Sequence, residues 1–567
     1  MAKGARVCTG VLPLGRRNLL DRRCSHIADY GPVEASWRQL DGRLESASRA
    51  QAPRMLPAAT EDANFCFEQG TVTREPGAGG AKSVSQVVVL GAGVAGHTAA
   101  SYLRKWLSRA HEVVVVAPIP YYNWIPSNIW LGLGLMEERQ VVLPLEPIYR
   151  RAGIRFVQAR AVALYPEGDA HSLTPFVEVE STQPETLGQR SRIPYAYLVN
   201  ATGPKLNFEA TEGLGPEKNT ASVCTPDHAK AAAKQFLALV ERMKGGEHCR
   251  FVIGTGHGQC TCQGAAFEYV VNLEFELRRH GVRDKAEVIF LTNEYELGDF
   301  GMDGAFIRRN GYITPTHIFT ESVLAERNIW SITRAHVKKV EPGKIFYEML
   351  DGSEHELTFD MAMLLPPFRG AGMKAYDRAG EEVTAKVFAP NGFMRVDADY
   401  TQKPYEEWKA KDWPKTYQSP VYPNIFAAGI AFAPPHPISR PHMSAKGTPI
   451  FATAPRTGMP SATTGRVVAR SIADKMLGIE RPLHGASMAE LGAACVASSG
   501  ASLLKGTAAS MTVFPIVPDH ERYPKYGRDL RYTTGEIGLA GHWIKVVLHH
   551  MFLYKAQLRF GWSLIPE

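Results

Sequence analysis

The chain lacks any uninterrupted apolar run of the roughly 18 residues that a spanning helix needs, so its 567 residues are expected not to cross a bilayer. Cysteine is scarce. The eight thiols (Cys8, Cys24, Cys66, Cys224, Cys249, Cys260, Cys262 and Cys495) are too scattered for a disulfide scaffold, which leaves the question of which of them react. Charge of one sign is also in short supply. A net charge of +7 is modest at this length, and without a nucleic-acid-binding motif it points away from DNA and RNA. It is compatible with an anionic membrane surface or an acidic ligand. With 45% hydrophobic and 21% charged residues the composition is that of a globular protein, and the length predicts two or three domains.

Residues 1–83 show no sustained periodicity and end in the Gly/Pro-rich stretch Glu75-Pro76-Gly77-Ala78-Gly79-Gly80, which predicts a disordered arm. Up to Ala28 there are six basic residues and one acid but no apolar h-region. Arg16-Arg17-Asn18-Leu19-Leu20 resembles the start of a twin-arginine signal, yet Asp21-Arg22-Arg23 stands where apolar residues should follow. A disordered extension, or an upstream start that is not used, is the reading preferred over a targeting segment.

Order is expected from Gln86. Val87-Val88-Val89-Leu90 reads as a buried strand and is followed by the loop Gly91-Ala92-Gly93-Val94-Ala95-Gly96. Ala99, Ala100, Leu103 and Leu107 then share a helical face, and Val113 to Val116 form a second strand. In this strand–loop–helix context the glycines let the backbone approach a pyrophosphate at the positive end of a helix, so Gly91, Gly93, Val94, Ala95 and Gly96 are candidate dinucleotide contacts. The acid that usually holds the ribose about 20 residues later is missing, with Ala117-Pro118 in its place. A second unit follows. Thr225-Pro226 caps and opens a helix ending at Gly245-Gly246, and Phe251-Val252-Ile253 leads into Gly254-Thr255-Gly256-His257-Gly258. A helix from about Gly264 to Arg279 and a strand from Glu287 to Leu291 complete it.

Three further segments carry a family resemblance: Tyr122-Asn123-Trp124-Ile125-Pro126-Ser127, Tyr195 to Pro204 with its Ala201-Thr202-Gly203, and Asn424 to Ile430. With the glycine loop, and in this order, they resemble the two-dinucleotide-domain flavoprotein reductases, and within those the sulfide:quinone oxidoreductases, from Gln86 to the C-terminus. The resemblance implies bound FAD, with Asn123, Pro126 and Ser127 beneath the isoalloxazine ring and Ala201, Thr202 and Gly203 near the cofactor. It places Gly429 and Ile430 at the late flavin segment, where an apolar residue replaces the usual acid and faces a quinone. Arg456-Thr457-Gly458 resembles the segment near the flavin carbonyl, and Phe451 is a candidate quinone contact.

A thiolate is the reactive form of cysteine, and a helix N-terminus lowers its pKa. Cys224 directly precedes the Thr225-Pro226 helix start, and Cys224-Thr225-Pro226-Asp227-His228-Ala229 matches the segment of the family's sulfide-accepting cysteine. Cys260 and Cys262 lie in the second glycine loop before another helix, where the same activation is expected. With Cys249 and His257 they give no tetrahedral metal spacing, so no metal is expected. Family members carry another cysteine shortly before the segment equivalent to Asn391-Gly392-Phe393, where this chain has Phe388-Ala389-Pro390. A further one follows the family's Ala-Thr-Gly segment, where Leu206-Asn207-Phe208 stands. Cys224 is therefore left to work with Cys260 or Cys262, or on a substrate other than plain sulfide.

The second glycine loop lacks its last glycine at the usual place, although Glu294 or Glu296 could supply a ribose acid for NADH. Phe300-Gly301-Met302-Asp303-Gly304 resembles a glycine-rich segment of the sulfide:quinone branch. Toward the C-terminus Leu539, Trp543, Val546, Val547, Met551, Tyr554 and Leu558 follow helical spacing. With Lys545, Lys555, Arg559 and Trp562 they predict a helix lying in the membrane surface. Phe514-Pro515-Ile516-Val517-Pro518 is expected to add a second apolar contact.

These observations predict an α/β chain of two Rossmann-like domains plus an amphipathic, membrane-associating C-terminal region. The boundaries are an arm over 1–83, flavin-domain parts over 84–205 and 366–484, a second Rossmann-like domain with the cysteines over 206–365, and a membrane- and quinone-contacting region over 485–567. The expected activity is FAD-dependent oxidation of sulfide, or a related sulfur nucleophile, with electrons passing to quinone. The alternatives are a type 2 NADH:quinone oxidoreductase and a non-catalytic membrane flavoprotein. The expected location is monotopic on a bacterial inner membrane, with the face and any homo-oligomer left open.

Overall fold

A computed structural model describes residues 85–502 and 504–567; the expected arm over 1–83 lies outside them. Two parallel sheets form the centre. In the first, Gln86–Leu90 pairs on one side with Glu112–Ala117 and on the other with Tyr197–Asn200, and Ile425–Ala427 adds to the outer edge of Tyr197–Asn200. Valine dominates these strands because helices cover parallel strands on both faces. Val87, Val88, Val89 and Leu90 are all fully buried, which stabilises the sheet by about 1.5–3 kcal/mol per side chain. Beyond Glu112–Ala117 the sheet continues through Arg155–Tyr165 into an antiparallel meander with Phe176–Ser181 and Arg190–Pro194. Ile425–Ala427 returns to this sheet from far along the chain, so two distant sequence segments build one sheet.

In the second sheet Cys249–Thr255 lies between Ala286–Leu291 and Met361–Leu365, with Trp330–Ile332 outside, all parallel. The helix Pro226–Lys244 starts where the sequence places it, with the Thr225 hydroxyl accepting from the His228 amide at 3.2 Å. The helix Gln263–Arg279 follows the second glycine loop. Fold class and repeated unit agree with expectation.

The C-terminal region is more than a helix. Ala493–Ser502, Lys505–Val513 and Thr534–Gly538 form an antiparallel sheet, which the hairpin Phe306–Arg309/Tyr312–Pro315 joins through Arg308 and Thr534. Two expectations are corrected here. Ile516 and Val517 are buried in the core rather than forming a surface contact. In the helix Leu539–Ala556, Val546 is also buried, so it does not belong to the apolar outer face.

Candidate active site

The first glycine loop turns between strand and helix with no room to spare. A Cβ on Gly91 (φ +101°) would collide with the Ala201 carbonyl, which brings Ala201-Thr202-Gly203 against the loop. The helix Val94–Trp106 has no side-chain N-cap and no acid in its first turn, and space beside Gly93 is open. Uncapped amides at a positive helix end are what a pyrophosphate binds. Gly429 closes on the same helix: its amide donates to the Thr464 hydroxyl at 2.9 Å, and a Cβ there would lie 2.6 Å from that of Ala95. Three distant candidate segments thus converge, and they fit a dinucleotide cofactor.

Thr202 donates from both its amide and its hydroxyl to the Asn200 side chain. Asn123 exchanges amide hydrogen bonds with Asn128 at 2.9 Å, which fixes the turn containing Pro126 and Ser127. The Ser127 hydroxyl is 2.8 Å from Nδ1 of His549 on the C-terminal helix.

Arg456 reaches across to the late segment, donating to the carbonyls of Ile430 at 3.2 Å and Phe432 at 3.3 Å. Its guanidinium also lies over the Phe393 ring, 4.7 Å from the centroid. Burial lowers its pKa to about 10, so it remains a cation at neutral pH. Thr457 is the N-cap of the helix Gly458–Met476, and a second source of positive potential therefore points the same way. Gly429, Ile430, Arg456 and Thr457 line one pocket.

Cys262 adjoins Arg456, which lines this pocket. Cys224, Cys260 and Cys262 are close enough for the charge of one thiol to raise the pKa of another, and Cys262 also feels Arg456. Among the described residues all the cysteines are free thiols. Cys224 and Cys262 are partly accessible, whereas Cys260 is fully buried and its thiol donates to the Leu365 carbonyl at 3.1 Å. Cys262 caps its helix in the left-handed region at φ +67°, a conformation costly for a side-chain-bearing residue. The expectation that helix ends depress these pKa values is overturned. Burial dominates, raising Cys224 and Cys260 and pushing Cys262 up to about 12. The resting thiols are protonated.

A base stands by. The Ser222 side chain hydrogen-bonds Cys224, and its hydroxyl oxygen is 3.2 Å from Nδ1 of His228. Burial keeps this imidazole below the usual histidine range, hence neutral at physiological pH. Sequence reasoning notes His228 but misses Ser222, whose only signal is a hydroxyl two residues before the cysteine. It also misses Cys495, whose sulfur would lie 3.1 Å from a Cβ on Gly264, in the first turn of the helix that Cys262 caps.

The second glycine loop is filled by the protein itself. A Cβ on Gly256 would meet the Leu214 side chain, and one on Gly258 the Pro449 carbonyl and the His336 ring. The Phe451 amide donates to the Gly258 carbonyl at 2.9 Å, and the Asn293 side chain ties both carbonyls together. Phe451 itself is buried. Glu294 is corrected as a ribose ligand: it is fully buried and accepts from the Phe300 amide and the Thr292 hydroxyl.

Residues 85–267 match the pyridine nucleotide-disulphide oxidoreductase family. Over 471 residues the chain is 30% identical to the sulfide-quinone reductase of Aquifex aeolicus, covering 83% of this chain and 91% of that protein. The chain belongs to the sulfide:quinone oxidoreductase family. The X-ray structure of the Aquifex aeolicus sulfide:quinone oxidoreductase superposes with a TM-score of 0.64 at 27% identity, covering 84% of this chain and 92% of that one. A mitochondrial sulfide:quinone oxidoreductase of Dictyostelium discoideum is 22% identical over 209 residues, covering 37% of this chain and 42% of its own length. The NDH2 structure from Plasmodium falciparum, at 12% identity and a TM-score of 0.55 over 84% of this chain and 96% of that one, shares the fold alone. Family membership implies a flavin.

Proposed function

We propose that this chain is a membrane-bound, FAD-dependent enzyme that oxidises sulfide at Cys224 and Cys262 and passes the electrons to a quinone. The observation that carries this reading is the meeting of Cys262, Cys224 and Arg456 at the late flavin segment.

FAD, held by the Gly91–Gly96 loop, Ala201–Gly203 and Gly429–Ile430, supplies two-electron transfer between thiol and quinone. The protein supplies the rest. Sulfide attacks one sulfur of the oxidised Cys224/Cys262 pair, which leaves a persulfide on one cysteine and a thiolate on the other. Joining these into a sulfur-bridged pair releases two electrons and one proton, and further sulfide extends and discharges the sulfur as polysulfide. His228 takes up thiol protons through Ser222, which offsets the raised pKa of Cys224. Arg456 and the helix start at Gly458 would hold positive charge beside the flavin ring, where it would favour electron acceptance. Cys260, buried and hydrogen-bonded, shapes the loop. Phe451, whose carbonyl is held by the same Asn293 that binds the Cys260 carbonyl, is the candidate quinone contact.

Membrane attachment rests on the outer face of the helix Leu539–Ala556. It exposes Trp543 at 46%, Ile544 at 52% and Val547 at 56%, and buries His542, His549 and Lys555. In water the hydrophobic effect favours the opposite arrangement. An apolar medium outside reconciles it.

Stopped-flow absorbance of the flavin tests the proposal. Sulfide is expected to bleach the wild-type flavin, and Cys224→Ser and Cys262→Ser to slow this by about three orders of magnitude with flavin content retained. Cys260→Ser is expected to stay within about threefold. Unimpaired bleaching in Cys262→Ser would sink the mechanism.

A further inference from the structure

Oxidising hydrosulfide to sulfur releases one proton, whereas reducing a quinone to a quinol consumes two. The proposed reaction, HS⁻ + Q + H⁺ → S⁰ + QH₂, therefore draws one proton from outside in each turnover. The helix Leu539–Ala556 turns the apolar side chains of Trp543, Ile544 and Val547 outward, so the polar side chains on its inner face are the groups beneath it that can carry a proton. Four polar side chains lie on its inner face. Both ring nitrogens of His542 are engaged, Nδ1 with the Ser498 hydroxyl at 2.6 Å and Nε2 with the Ser502 carbonyl at 2.7 Å. Lys545 is locked to the buried Glu268 at 2.9 Å, and Lys555 to Glu567 at 2.7 Å. His549 differs. Its Nδ1 meets the Ser127 hydroxyl at 2.8 Å, and its Nε2 makes no hydrogen bond with a described residue. The exposed imidazole of His550 adjoins it, with ring centroids 4.8 Å apart.

We propose that Ser127 and His549 deliver this proton to the flavin side of the site, with His550 as the outer end of the path. The inference rests on the functional reading above, which places Ser127 beneath the flavin ring. The step conserves protons. His549 takes one proton at Nε2 and passes the one at Nδ1 to the Ser127 oxygen, and the serine hydroxyl gives its own proton inward. A flip of the imidazole ring and rotation of the serine hydroxyl then reset the chain, so that one proton has moved inward and none returns. The charged or titratable groups facing His549 are His550 and Lys545, the latter paired with Glu268, while the Trp130 ring packs edge-on against it. Burial first, then those two neighbours, lowers the His549 pKa to about 4, so the imidazole does not trap the proton it conducts.

The test uses the FAD-loaded enzyme on liposomes and reads the two half-reactions separately. His549→Gln and Ser127→Ala are expected to slow reoxidation of the reduced flavin by a short-chain quinone on the order of 10²-fold. In His549→Gln added imidazole should restore the rate, and sulfide-driven bleaching and flavin content should be unchanged. His550→Gln, a surface change, is expected to slow reoxidation by about threefold. A readout independent of turnover is ¹⁵N-histidine NMR of the oxidised protein. The resonance absent from His549→Gln should report a neutral ring at pH 7 and shift in Ser127→Ala. Wild-type reoxidation rates in both inner variants, or a His549 signal indifferent to Ser127→Ala, would overturn the path while leaving the sulfide chemistry standing. Failure of sulfide to bleach the wild-type flavin would overturn both.

Discussion

A buried carboxyl with no cation beside it is a measurable liability, and Glu294 is one. Burial, and secondarily the neighbouring Asp299, raise its pKa from 4.5 to about 8, and Asp299 itself is raised to about 6 by burial. No ion pair reaches Glu294 among the described residues. The sign follows from proton counting. Between pH 4.5 and about 8 the folded chain keeps a proton that the unfolded chain has lost, so stability falls as pH rises, by up to about 1.4 kcal/mol per pH unit for this group. Its contribution is complete below pH 4.5 and gone once pH passes about 8. Glu294→Gln mimics the protonated acid. Thermal melts of the variant and the wild type should coincide near pH 5 and separate by pH 8.5, with the variant higher; parallel curves would show that the carboxyl is ionised in the folded state throughout. The cysteines teach the same lesson in reverse. Position at a helix end is readable in Cys224 and Cys262, but the depth of burial that outweighs it is not, because burial is a sum over elements remote in sequence.

At the level of elements, what depends on near neighbours in the chain is legible in the sequence. The glycine loop, the Thr225 cap and the valine strands depend on neighbours within a few residues, and each stands where the spacing puts it. The strand Ala493–Ser502 is not legible because it is built mostly of alanine, serine and glycine, with Val496 as its one β-branched residue. The helix Leu539–Ala556 was legible as a helix but not in its orientation, since apolar residues occur around most of its circumference. Val546 faces the protein and Val547 the outside, a distinction that only packing makes. The outer face carries a prediction. Ile544→Glu with Val547→Glu removes two apolar anchors, each contributing about 1.5 kcal/mol or more, which corresponds to roughly 100-fold weaker partitioning to liposomes. Co-flotation with anionic vesicles measures this, and sulfide-driven bleaching in solution should persist. Retained flotation would place the membrane contact elsewhere on the chain.

The described residues repeat one supersecondary unit, and the two glycine loops differ in what crowds them. At the first loop, the chain leaves uncapped amides and open space beside Gly93. At the second, Leu214, His336 and the backbone at Pro449 occupy the approach to Gly256 and Gly258, and of the two acids that could hold a ribose Glu294 is sealed inside while Glu296 is exposed. In sequence the second loop differs only in lacking its last glycine at the usual place, and the obstruction itself is not legible because the residues that make it come from distant parts of the chain. The obstruction at Gly258 includes main chain, so trimming a side chain cannot reopen the site. NADH at millimolar concentration should therefore bleach the flavin at least 1,000-fold more slowly than sulfide, an estimate that equates exclusion with loss of about 4 kcal/mol of binding. Leu214→Ala should cost roughly 2–5 kcal/mol of stability by leaving a cavity and still gain no NADH activity, since the Pro449 carbonyl and the hydrogen bond from Phe451 to Gly258 remain. Anaerobic stopped-flow with each reductant decides the matter. Flavin reduction by NADH within tenfold of the sulfide rate would mean that the 449–453 segment moves aside, and that the second loop still serves as a nucleotide site.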